Sequence, residues 1–188
     1  LLSLDPAVIA AADQSRNRGG TEFVAYTNAL PGAVYYVGVK SEDQMAAEYA
    51  FFGGFSLNPF SSTDENGNVI VNGFPVPNAI PDGTPAQPGG ALTLGLALQP
   101  ATIRELIVTN SIYHENMGDL LVTLSHARKF SVLSNHRSAV PGNYTYVYED
   151  NDEVNLLHPD GPGKLRDFVG DSGLGVWLLT TVDNSSSQ

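Results

Sequence analysis

The sequence predicts an all-β protein, a sandwich of antiparallel strands preceded by a smaller β segment. Three observations predict it. Nineteen glycines and twelve prolines in 188 residues interrupt the chain too often for a helical bundle. Apolar residues still make up 42% of it, too many for wholesale disorder. From residue 91 onward, short apolar runs return between turn signals at the intervals of an all-β sandwich.

The elements follow in order. Asp5-Pro6 and the alanine-rich stretch 7–12 supply a cap, a first-turn proline and good helix formers, so a short helix is expected there, ending at Arg18-Gly19-Gly20. Residues 21–27 form a short β-type run, and Pro31-Gly32 marks a turn. In 34–40 the pattern alternates, with Tyr35, Val37 and Val39 on one face. A third apolar run, 48–55, contains two glycines and reads as a bulged strand. Residues 1–56 therefore read as a partial β-module, and 57–68 as a connector, with Asn66-Gly67 suited to a hairpin turn. Prolines 75, 77, 81, 85 and 88 keep the next stretch out of any sheet, because each lacks a ladder donor. Strands are expected at 91–98, 103–113, 119–125, 130–133, 144–148, 165–169 and 176–182. Leu120, Val122 and Leu124 share a face, as do Trp177 and Leu179.

Composition narrows the function. Nine Lys and Arg against twenty Asp and Glu give a net charge of −11. Scattered basic residues on an acidic chain argue against nucleic acid and against anionic membrane, and no apolar run reaches the roughly 20 residues of a membrane span. The absence of cysteine excludes disulfides, thiolate metal sites and cysteine nucleophiles. Low lysine with abundant Asn, Ser, Thr and Gly suits a secreted or cell-surface bacterial protein. The first residue is leucine, and 184–188 read as the start of a flexible linker, so the chain is expected to be a piece of a longer one.

Three stretches resemble a known family. The first is His114-Glu115-Asn116-Met117-Gly118-Asp119-Leu120, followed by Val122 and Leu124. The second is Tyr144-Thr145-Tyr146-Val147-Tyr148-Glu149-Asp150. The third runs from His158-Pro159 through Phe168 and Gly170 to Gly175-Val176-Trp177-Leu178-Leu179 and closes at Asp183. Together they resemble the P domain, the jelly-roll module that follows the catalytic domain of proprotein convertases and many bacterial subtilisin-type proteases. The resemblance covers about 69–184 and implies a jelly roll of galactose-binding-like architecture. It also implies a non-catalytic accessory role toward neighbouring domains of the same parent. Ser125-His126-Ala127-Arg128-Lys129 departs from the family's Ser-Pro-x-Gly-Thr turn, and Thr181 stands where an aliphatic residue is usual. Pro31-Gly32 with Tyr35-Tyr36 and Val39 is similar to a bacterial pre-peptidase C-terminal module. The competing class is an adhesion or carbohydrate-binding module in a tandem β array, with a protein or glycan surface as partner.

Gly170-Asp171-Ser172-Gly173 copies the nucleophile tetrapeptide of chymotrypsin-like proteases, but the following Gly-Pro and an upstream base motif are missing. The four histidines lack the spacing of metal-binding helices. Glu149, Asp150, Asp152 and Glu153 crowd four carboxylates at a strand exit. Two readings stand beside each other: a solvated acidic loop, and a Ca2+ site made by Glu149, Asp150 and Asp152 folding back beside Asp119. Trp177 is expected in the core, since its strand pattern points inward.

Overall fold

The computed structural model describes residues 2–5, 7, 15, 22–40, 48–137, 141–150 and 156–184. The described residues are mostly β, with 39% strand, 5% helix and no helix of seven residues or more among them. It divides into two compact units, Leu1–Pro59 and Phe60–Gln188. The helix expected over 6–18 and the linker at 185–188 lie outside the described residues, apart from isolated positions.

In the first unit, β1 (Leu2–Ser3) pairs antiparallel with β2 (Tyr36–Val37). The alternating run 34–40 thus yields a two-residue strand. Val37 and Val39, expected to share a face, are both exposed. The strands expected at 21–27 and 48–55 are not formed over their described residues, 22–27 and 48–55, and Tyr49, Phe51, Phe52 and Phe55 stand exposed. A strand needs a neighbour for its backbone groups, and none pairs with these segments among the described residues.

The second unit begins with a hairpin of β3 (Ser61–Thr63) and β4 (Val69–Val71). Asp64 Oδ1 accepts the Asn66 and Asn68 amides at 2.9 and 2.8 Å, which turns the chain inside the stretch expected to be a connector. Ser61 Oγ donates to Gln99 Oε1 at 2.6 Å and accepts the Leu98 amide at 3.0 Å, so this hairpin is tied to the rest of its unit.

The main sheet has five antiparallel strands in the order β5 (Gly73–Phe74), β6 (Gly89–Ala97), β11 (Gly175–Asp183), β8 (Leu120–His126) and β9 (Lys129–Asn135). A separate pair joins β7 (Val108–His114) to β10 (Gly142–Tyr148). Alternation decides what faces inward. Leu120, Val122, Leu124 and His126 of β8 are buried, as are Gly175, Trp177, Thr181 and Asp183 of β11. One hydrophobic core gathers Leu120, Val122, Leu124 and Trp177 with Ile112 of β7 and Tyr148 of β10. Beside β9, segment 160–162 continues the bonding: Pro162 O accepts the Val132 amide, and Gly161 donates to Val132 O, each at 3.0 Å.

Two expected strands change most. Residues 103–107 leave the strand expected at 103–113, and Ile103 bonds to the 170–171 loop instead, its amide donating to Asp171 O at 2.9 Å. The strand expected at 165–169 is a 3-10 turn, Leu165–Phe168. Asp167 Oδ2 accepts the Lys164 amide at 2.8 Å, which caps the turn. Three residues per turn then bring Leu165 and Phe168 to the same side, both buried.

Candidate functional site

The predicted acidic residues are dispersed into local contacts. Asp119 sits in the 3-10 turn Met117–Asp119 before β8, buried, its Oδ1 accepting from Asn116 Nδ2 at 3.0 Å. Glu149 is buried just past β10, its amide donating to Leu157 O at 2.9 Å and its carbonyl 3.0 Å from His158 Nδ1. Asp150 Oδ2 accepts the Arg166 amide at 2.7 Å, and its carbonyl accepts from the Arg166 guanidinium. Asp152 and Glu153 lie outside the described residues. Among the described residues, Asp119, Glu149 and Asp150 do not converge as a ligand group.

A different set does. Asp82, His114 and Asp183 bring one ligand atom each within 4.8 Å of one another. His114 ends β7 and Asp183 ends β11, both buried, with His114 Nε2 3.3 Å from Asp183 Oδ2. Asp82 is exposed on the proline-rich loop before β6. Sequence reading missed this set because its members come from three distant segments. The Pro81-Asp82-Gly83 turn was the sole local signal.

The protease-like tetrapeptide is arranged for structure. His126 is buried, stacked on Trp177 with ring centroids 4.0 Å apart and planes 6° from parallel. Its Nδ1 lies 2.8 Å from Val176 O and its Nε2 2.8 Å from Ser172 O. The imidazole therefore meets the Ser172 carbonyl, while Ser172 Oγ accepts the Leu174 amide at 3.3 Å. Asp171 pairs with Lys129 at 2.7 Å instead of orienting a histidine. Trp177 is buried as expected, and its Nε1 donates to Gly173 O at 2.9 Å.

One electrostatic cluster remains. Arg137 Nε donates to Asp160 Oδ1 and Oδ2 at 3.0 and 3.2 Å, and its guanidinium carbon lies 5.8 Å from the Tyr148 ring centre. Burial raises the Asp160 carboxyl, but the Arg137 and Asn135 hydrogen bonds outweigh it and hold the group below the usual carboxylate range. Burial pushes the Tyr148 hydroxyl up to about 12 against the opposing pull of Arg137.

Comparison with known proteins finds no family model, no curated protein and no solved structure that matches this chain.

Proposed function

We propose that residues 69–184 are a non-catalytic accessory module of a secreted bacterial protein, a jelly roll of the P-domain kind that stabilises or targets an attached subtilisin-like protease. The observation that carries the reading is the position of the resembling residues. His114 and Asp183, from the first and third stretches, meet in a buried pair. Leu120, Val122, Leu124, Tyr148, Phe168 and Trp177, drawn from all three, fill one core. The shared residues are thus those that build the unit, and Ser172 Oγ is not turned toward the one histidine beside it. The proposal includes Ca2+ at the loop through Glu149, Asp150 and Asp152, which a thermal melt in CaCl2 against EGTA tests.

A second reading, a carbohydrate-binding or adhesion module, draws on exposed aromatic surface. Tyr113 is 79% exposed. In the first unit, Tyr35 and Phe55 line a depression of about 390 Å³. The deciding test is the coding sequence upstream of Leu1. Asp, His and Ser protease motifs there support the accessory reading. Their absence, combined with retention on a glycan array, would replace it with the second.

A further inference from the structure

We propose that Asp82, His114 and Asp183 form a site for a divalent transition-metal ion of the Zn2+ type. The ligand set comes first. An imidazole nitrogen and two carboxylates, with one ligand atom from each inside 4.8 Å, suit Zn2+ and its neighbours. Ca2+ and Mg2+ favour all-oxygen shells.

The orientation of His114 adds an independent reason. Its Nδ1 lies 2.9 Å from Asn116 O, and a ring N–H placed there donates to that carbonyl. This is the outer hydrogen bond by which metal-binding histidines fix their tautomer. The lone pair is then on Nε2, which faces Asp183 Oδ2 at 3.3 Å. With Nε2 as an acceptor, it and Asp183 Oδ2 can be bridged by a shared proton or by a metal ion. A proton bridges two atoms, whereas a metal ion also engages the third ligand, Asp82. Donors about 2.0–2.1 Å from a tetrahedral ion lie roughly 3.4 Å apart, close to the 3.3 Å between His114 Nε2 and Asp183 Oδ2, with Asp82 within 4.8 Å of both. The Asn116 amide, 3.2 Å from Nδ1, offers the opposite tautomer a longer contact for the ion-free state.

The backbone holds Asp82 in place. A Cβ on Gly83 would fall 2.1 Å from both Asp183 O and Gly89 N, and one on Gly89 would fall 1.9 Å from Pro81 O. No side chain fits at either position, so segment 81–83 presses directly on the end of β11 and the start of β6. Asp82 is carried on that contact. A bound ion would fasten the loop to the ends of β7 and β11, leaving a coordination position for water or a partner's ligand.

The test is Zn2+ binding by the untagged 188-residue chain after chelator treatment, measured by equilibrium dialysis and by the visible spectrum of the Co2+ form. One ion per chain and a melting temperature raised by several degrees in ZnCl2 are expected, reversed by EDTA. Asp82→Ala carries the decision, since Asp82 is exposed and its loss spares the core. It should weaken Zn2+ binding by at least about tenfold and abolish the thermal shift, since even an outer partner's loss costs ~10–100-fold. Asp183→Asn should do the same where it folds. Absence of Zn2+ uptake by the wild type, or uptake undiminished in Asp82→Ala, would overturn the site and leave His114–Asp183 a simple buried pair.

Discussion

Replacing Trp177 with alanine should destabilise the second unit by about 4–5 kcal/mol, the upper part of the usual ~3–5 kcal/mol for large aromatic deletions. The structure indicates why the upper part applies. The indole stacks on His126 and meets Phe168 at a centroid distance of 5.5 Å, so two ring contacts are lost with it. Its N–H also satisfies Gly173 O, which would be left without that donor. The cavity cannot close easily, because the residue opposite on β6 is Gly95, which has no side chain to swing in. Trp177→Phe keeps a ring in the stack and loses the donor, and should cost about 1–2 kcal/mol. Urea denaturation followed by far-ultraviolet circular dichroism suits all three proteins, since Trp177 is the single tryptophan and its fluorescence vanishes with it. A loss below ~1 kcal/mol for the alanine variant would refute the core assignment. So would a phenylalanine variant as unstable as the alanine one.

Three further outcomes are expected. Asp160→Asn should cost about 1 kcal/mol at pH 7, as a partly buried two-pronged ion pair does. Because the folded-state carboxyl is held low, its contribution is present above the unfolded range near pH 4 and fades as pH falls through the folded value. Melting temperatures of the two proteins should converge in acid, and a constant gap from pH 7 to pH 2 would contradict this. Ala127, in the β8–β9 turn at φ 53°, adopts a left-handed conformation that glycine takes without strain, so Ala127→Gly should stabilise by ~0.5–1 kcal/mol in the same denaturation assay. Ser172→Ala should leave peptidase and esterase assays at the background of the wild type, and activity that disappears with the hydroxyl would reverse the non-catalytic reading.

What could be read from sequence depended on period and on distance. The inward face of β8 was legible because Leu120, Val122 and Leu124 alternate, and Trp177 could be placed by the same rule on β11. Leu165 and Phe168 looked like strand residues because a short apolar run does not reveal its own period; the Asp167 cap that makes it a turn is a single side-chain bond. The first unit misled for a different reason. Aromatic and β-branched residues at 34–39 and 48–55 have strand propensity, but propensity supplies no pairing partner. The acids around residue 150 stood out by proximity in sequence, yet Asp150 is engaged by Arg166. Asp82, His114 and Asp183 share no sequence pattern beyond the Pro81-Asp82-Gly83 turn, and the close packing of Gly83 and Gly89 is what sets the 81–83 segment against the end of β11.

The segment bonded along β9 decides how this sheet can meet other chains. With Pro162 and Gly161 occupying the outward backbone groups of Val132, the centre of that margin is already bonded. The opposite margin is β5, only two residues long and followed by Pro75. An incoming strand would find its longer opening beside β6, where β5 pairs only with Leu94 and Gly95. A neighbouring β-module adding a strand to this sheet would therefore meet the β6 side rather than the middle of β9.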